Sequence, residues 1–159
     1  MEKGVTLPAL PEIIRESFGC REQDIRNYSP LALAYIGDCV YELIIRTVIV
    51  EKGNRQPQKL HKEAAGFSKA GTQSGLYKAL LEEVSEEERD ILKRGRNANS
   101  HSKAKNATLS EYKNATALEA LFGYLYLTGR MERVLELLKL GLEKCGFDIV
   151  CERKKRAFI

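Results

Sequence analysis

The sequence predicts an all-α fold, a helical bundle formed by one domain over residues 1–150, followed by a charged tail over residues 151–159. Three observations support this prediction. Apolar residues recur at helical spacing through most of the chain, capping and stop signals separate the segments, and no stretch of useful length alternates in the manner of a strand. A chain of 159 residues is long enough for one core of its own.

The first half of the chain is predicted to contain four helices. A short helix from Pro8 to Phe18 is ended by Gly19. Ser29 is a good N-cap for a long helix that runs to about Lys52. Its apolar residues lie on more than one face, as expected of a central helix. Two shorter helices are predicted to follow, over residues 56–65 and 68–84.

The second half of the chain is predicted to add three helices. A capping box at Ser85 opens the first, which runs to about Arg94, and residues 95–102 after it form a polar turn. Ser110 is predicted to cap the second helix, which ends near Thr128. A strongly amphipathic helix over residues 131–144 is predicted to be the last.

Composition restricts the location and the class of the protein. The net charge of +4 is mild and does not by itself indicate nucleic acid. The four cysteines are not in CxxC spacing, which predicts reduced thiols and a cytoplasmic location. The N-terminus lacks the apolar run of a signal peptide, and the apolar stretch at 31–50 is interrupted by charged residues, so no membrane partner is expected.

Two acids stand inside apolar helix patterns, Asp38 in the long helix and Glu119 about eighty residues later. A carboxylate among apolar neighbours is unfavourable unless it is paired, protonated or bound to a metal. Two such acids on two helices predict a cation between them, and oxygen-only ligands favour Mg²⁺. In the alternative, structural interpretation, Glu42 pairs with Arg46 and Asp38 caps or pairs within the core.

A basic segment at residues 93–105 contains five lysines or arginines, one histidine and no acid. Such a segment suits phosphate oxygens and groove edges of a nucleic acid, and a smaller basic group lies near residue 60. The alternative is a solvated loop. The candidate RNA-binding residues are Lys59, Lys62, Arg94, Arg96, Asn97, His101, Lys103 and Lys105.

Two motifs resemble the catalytic domain of the ribonuclease III family. The segment Tyr-Ile-Gly-Asp-Cys-Val-Tyr-Glu at 35–42 resembles its signature helix, and Glu-Ala-Leu-Phe-Gly-Tyr-Leu-Tyr at 119–126 resembles its second acidic helix. The resemblance covers roughly residues 25–143. The chain is expected to have no room for the double-stranded-RNA-binding domain that usually follows, and it is similar in this to the Mini-ribonuclease III branch.

The resemblance implies that Asp38 and Glu119 bind the metal and are catalytic, with Mg²⁺ as the cofactor and Mn²⁺ as a substitute. Full-length members carry a Glu four residues before the signature Asp and an Asp three residues before the second Glu. Here those positions are Ala34 and Thr116. The Mini-ribonuclease III branch shares this reduction, and the number of metal ions per site stays open.

The resemblance also implies an activity and partners. The expected function is metal-dependent cleavage of double-stranded RNA by a homodimer, in maturation of a large-subunit ribosomal RNA precursor. Leu31, Leu33, Tyr35 and Ile36 offer more apolar area than one face of an internal helix needs, so some of that area is predicted to meet the second subunit. Two alternatives remain: a catalytically silent helical RNA-binding domain, which the missing carboxylates would fit, and a helical protein–protein adaptor without RNA affinity.

Overall fold

The computed structural model describes residues 7–99 and 107–149, which form a helical bundle without strands. This confirms the predicted fold class. A single turn of 3-10 helix, Ile25–Asn27, lies between the first two α-helices. The seven α-helices in this part of the chain are α1 (Leu10–Phe18), α2 (Pro30–Glu51), α3 (Pro57–Ser68), α4 (Ala70–Leu80), α5 (Glu86–Asn97), α6 (Leu109–Leu127) and α7 (Met131–Lys144).

Local capping interactions fix several helix ends at the predicted places. The Ala32 amide donates to Ser29 Oγ at 3.1 Å, at the start of α2. The capping box of α5 is complete, with Glu88 N to Ser85 Oγ at 3.2 Å and Ser85 N to Glu88 Oε1 at 2.8 Å. These contacts satisfy amides that have no partner inside the helix.

The predicted cap of α6 at Ser110 is wrong. The N-cap is Thr108, whose Oγ1 accepts a hydrogen bond from the Glu111 amide at 3.1 Å. A hydroxyl at the N-cap reaches the amide three residues later, and Ser110 already lies inside the first turn.

The predicted end of α5 near Arg94 is also wrong, because the helix continues to Asn97. Gly95 is not a turn residue. It is buried against α6, where a Cβ on Gly95 would lie 2.9 Å from Ala117 Cα and 3.1 Å from Ala120 Cβ. Its lack of a side chain serves helix packing, so the first part of the basic segment is helical.

The core centres on α2 and α6, which pack along each other and are surrounded by α3, α4, α5 and α7. The rings of Tyr41 and Phe122 stack, with centroids 6.3 Å apart. The Tyr41 hydroxyl donates to the Phe67 carbonyl at 2.5 Å and so ties α3 to α2. By contrast, α1 buries only Pro11. Among the described residues no helix is long and apolar enough to cross a membrane.

Candidate active site

The backbones of α2 and α6 touch at two glycines. A Cβ on Gly37 would lie 1.7 Å from the carbonyl oxygen of Glu119, and a Cβ on Gly123 would lie 2.0 Å from the carbonyl oxygen of Leu33. Neither distance leaves room for a carbon atom. The crossing therefore requires glycine on both helices, and it fixes the position of Glu119 relative to the residue after Gly37, which is Asp38.

The structure brings the two predicted acids into electrostatic contact. Burial and, next, the charge of Asp38 raise the pKa of Glu119 to about 8. Partial burial and the nearby carboxylate of Glu42 raise the pKa of Asp38. Both shifts show that the ionised forms are disfavoured in this protein without a bound cation.

The described residues give neither Asp38 nor Glu119 an ion-pair partner. The nearby side chain of Gln73 partly opposes the rise of the pKa of Glu119. Glu42 differs, because Arg46 Nε lies 3.0 Å from Glu42 Oε2. The structural interpretation therefore holds for Glu42 and leaves the other two acids unexplained.

The residues present fit a hard divalent cation. The two carboxylates, whose ionised forms are both disfavoured, form an oxygen-only donor set, and this chemistry suits Mg²⁺. The set is small: within residues 7–99 and 107–149 no group of three or more His, Cys, Asp or Glu side chains could hold a metal. Alanine at position 34 and threonine at position 116 have no carboxylate. Ala34 is buried, and the Thr116 hydroxyl donates to the Tyr112 carbonyl of its own helix at 3.0 Å.

The predicted RNA-binding residues differ in exposure. Five of them lie on helices, and Arg96 alone of these is half-buried. Its Nε donates to Asn114 Oδ1 at 2.9 Å. The exposed ones are Lys59 and Lys62 on α3 and Arg94 and Asn97 on the last turn of α5, while His101, Lys103 and Lys105 lie outside the described residues.

Three residues of the site region were missed by sequence reasoning: Gln73, Ser74 and Asn114. All three are polar and at most 3% exposed. Asn114 Nδ2 donates to Ser74 Oγ at 3.0 Å, which joins α6 to α4. A polar residue on the buried face of a helix is the only signal that the sequence offers for them.

The predicted dimer surface is only partly exposed. Leu33 is 2% exposed and packs in the core of its own chain, so it is not part of the apolar area that is free to meet a second subunit. Ile36 is half-buried against the same core. Tyr35 is 80% exposed and Leu31 is 38% exposed, so these two remain candidates.

Comparisons with known proteins identify the family of this chain. The Ribonuclease III domain model matches residues 31–130, which include both acids. The Mini-ribonuclease 3 of Clostridium tetani is 45% identical over 120 residues, 75% of this chain and 80% of the relative. The Mini-ribonuclease 3 of Enterococcus faecalis is 44% identical over 126 residues, which cover 78% of this chain and 96% of the relative. A crystal structure of a protein from Fusobacterium nucleatum has a TM-score of 0.70 at 36% identity, covering 77% of this chain and 99% of that one.

The chain therefore belongs to the ribonuclease III domain family, a class of RNA-cleaving endoribonucleases. The curated relatives just described carry the name Mini-ribonuclease 3, which confirms the resemblance seen in the two acidic helices.

Proposed function

We propose that the protein is a Mg²⁺-dependent endoribonuclease that cleaves double-stranded RNA at Asp38 and Glu119. The observation that carries this proposal is the acid pair at the glycine crossing of α2 and α6. Burial and the charge of Asp38 disfavour ionisation of Glu119, burial and Glu42 disfavour ionisation of Asp38, and neither acid has a cationic partner among the residues that the structure describes. Such a pair lowers stability unless a cation occupies it.

The two carboxylates have distinct environments. Asp38 is exposed, so its oxygen atoms are open to solvent and to a substrate phosphate, while Glu119 is half-buried. With a pKa near 8, Glu119 holds a proton at neutral pH in the cation-free protein and releases it when a cation is bound. When bound there, Mg²⁺ or Mn²⁺ would supply Lewis-acid stabilisation of the scissile phosphate and lower the pKa of water.

Exposed cations on two helices suit a duplex substrate. Lys59, Lys62 and Arg94 are exposed and can reach phosphates, and Lys103 and Lys105 remain predicted partners. A-form RNA is recognised mainly through phosphates and 2′-hydroxyls. Each phosphate contact adds roughly 0.7 to 0.9 to the slope of log affinity against log salt.

Replacing Arg94, Lys103 and Lys105 by Ala should therefore flatten this slope by roughly two units or more, measured with duplex RNA in Ca²⁺. An unchanged slope would exclude this surface.

Three further features belong to the proposal. The protein acts as a homodimer with one site per subunit, in the cytoplasm, in maturation of a large-subunit ribosomal RNA precursor. Exposed Leu31 and Tyr35 on α2, and the exposed apolar residues of α1, support a second copy as the dimer partner. Sedimentation at micromolar concentration tests this, and a stable monomer would contradict it. Cleavage of purified ribosomal RNA precursor tests the substrate.

The activity itself is tested with a long RNA duplex and Mg²⁺. Asp38→Asn and Glu119→Gln remove one charge each with almost no change in shape, and each should lower the cleavage rate by at least about a thousandfold. The matched control is Glu42→Gln, one turn from Asp38 and paired with Arg46, which should retain cleavage within about tenfold.

Each outcome of this test selects a function. Full activity in either acid variant would exclude the assigned site. Tight binding of duplex RNA by the wild-type protein without cleavage would favour the catalytically silent RNA-binding domain.

A further inference from the structure

Arg96, on the last turn of α5, is held by a buried amide. Its Nε donates to Asn114 Oδ1 at 2.9 Å, and Asn114 Nδ2 in turn donates to Ser74 Oγ at 3.0 Å. Asn114 is 2% exposed and Ser74 is 3% exposed. With a donor and an acceptor both engaged, the Asn114 amide has one orientation. Arg96 is therefore tied through α6 to α4.

The other edge of the Arg96 guanidinium has no such partner. An arginine carries its N–H donors in a planar fork, and the bond to Asn114 engages only Nε. In the part of the chain that the structure describes, neither terminal nitrogen of Arg96 forms a hydrogen bond or an ion pair. Arg96 is half-buried and not buried, so part of its side chain stays accessible to a ligand.

The anchor of Arg96 is also neutral. Arg133, by contrast, is held by the carboxylates of Glu88 and Glu136, which neutralise its charge. An amide accepts the hydrogen bond of Arg96 and leaves the positive charge available. A planar guanidinium binds a phosphate through two parallel N–H···O bonds, so a fixed orientation and an available charge suit this ligand.

The last turn of α5 lies beside the part of α6 that carries Glu119. Gly95 packs against Ala117 and Ala120. Asn114 precedes Glu119 by five residues, a helix rise of about 7.5 Å. A phosphate bound at Arg96 would therefore belong to the same duplex that the acid pair meets.

We propose that Arg96 binds a backbone phosphate of duplex RNA through its terminal nitrogens, and that Asn114 and Ser74 are positioning residues that orient it beforehand. The proposal deepens the function proposed above and rests on it, because it takes duplex RNA as the ligand. A side chain whose orientation is already fixed loses less conformational entropy when it binds. Asn114 thus contributes to RNA affinity without touching the RNA.

The experiment is a double-mutant cycle on duplex-RNA affinity, measured in Ca²⁺ across a salt series. Asn114→Ala keeps the charge of Arg96 but frees its side chain, so affinity should fall by roughly 3- to 10-fold with an unchanged salt slope. Arg96→Ala removes the phosphate contact, and should lower affinity by roughly 10-fold or more and flatten the slope by roughly 0.7 to 0.9. In the Arg96→Ala background, Asn114→Ala should have less than about a twofold further effect.

Arg94 supplies the matched control on the same turn of α5. It has the same charge as Arg96, but it is exposed and forms no ion pair with any described residue. In the Arg94→Ala background, Asn114→Ala should still lower affinity by the full factor of roughly 3 to 10. Thr72→Val removes a different hydrogen bond of α4, from Thr72 Oγ1 to the Gly66 carbonyl at 2.8 Å, and should leave affinity within about twofold of wild type.

Ser74→Ala guards against loss of folding in Asn114→Ala, because alanine is favoured inside a helix and both Asn114 and Arg96 are kept. It should lower affinity by roughly twofold or more, and only while Arg96 is present. Equal losses with and without Arg96 overturn the proposal, as do unchanged affinity in the folded variants and a wild type that binds no duplex. If the wild type binds duplex RNA but does not cleave it with Mg²⁺, the proposed function fails, whereas the cycle still decides the role of Arg96.

Discussion

The molecule contains two pairs of acids in opposite electrostatic settings. At the start of α5, Arg133 binds Glu88 through two hydrogen bonds of 2.9 and 2.8 Å, and Arg130 lies 3.2 Å from Glu87. These arginines lower the pKa of both glutamates. Where α2 crosses α6, the second pair has a raised pKa and no ion-pair partner in the described part of the chain. The first pair stabilises the fold, and the second is available to a cation.

The two pairs are also positioned by different forces. Glu88 is held by attraction, from Arg133 and from the capping box with Ser85. Asp38 and Glu119 repel each other when both are ionised, so attraction between their charges cannot hold them together. They are held by backbone packing at Gly37, supported by the buried side chains on both helices. The geometry of this acid pair thus depends on core packing.

The largest effect on stability is expected for Gly37→Ala, which disrupts the helix packing that holds Asp38 and Glu119 together. The added Cβ would overlap the Glu119 carbonyl oxygen, so the helices must separate. We expect a loss of about 4 kcal/mol or more in the free energy of unfolding, measured in urea. Gly66→Ala is the control, because its Cβ meets nothing within 4 Å, and it should change stability by less than about 1 kcal/mol. Equal stability of the two variants would contradict the glycine crossing.

A smaller effect on stability is expected when one carboxylate charge is removed from each acid pair, and its sign should differ between the two pairs. Glu88→Gln leaves the partly buried Arg133 without its partner and should lower the free energy of unfolding by about 2 to 3 kcal/mol. Glu119→Gln, in the absence of metal at pH 8, should leave stability unchanged or raise it by on the order of 1 kcal/mol. Urea denaturation of both variants measures this. A loss in Glu119→Gln as large as in Glu88→Gln would show that Glu119 is a structural acid.

The pH dependence follows from the direction of each pKa shift. Because the pKa of Glu119 is raised, the contribution of this residue to the free energy of unfolding is fully present below the ordinary pKa of 4.5. That contribution is lost as the pH rises towards 8. Because the pKa of Glu88 is lowered, its contribution to the free energy of unfolding is present above pH 4.5 and is lost as the pH falls below that value. Relative to wild type, Glu119→Gln should therefore gain stability between pH 5 and pH 8.

The difference between the two regions also marks what a sequence can predict. Helix ends with their own capping residues, such as Ser29 and Ser85, were predicted because the signal is local. The acid pair was predicted because both acids stand in apolar patterns. The packing role of Gly95 and the effect of Gln73 on the pKa of Glu119 were not predicted, since each depends on another helix far away in the chain. Arg96 was assigned to RNA alone because its partner Asn114 lies eighteen positions later.

The central claim is that Asp38 and Glu119, unlike Glu87 and Glu88, form a cation site. The most direct measurement is the free energy of unfolding with and without Mn²⁺ for wild type, Glu119→Gln and Glu88→Gln. At a Mn²⁺ concentration about a hundred times the dissociation constant, wild type should gain about 2.7 kcal/mol. The Glu88→Gln variant should gain the same amount from its lower starting value, and Glu119→Gln should gain almost nothing. An equal gain in wild type and Glu119→Gln would contradict the claim.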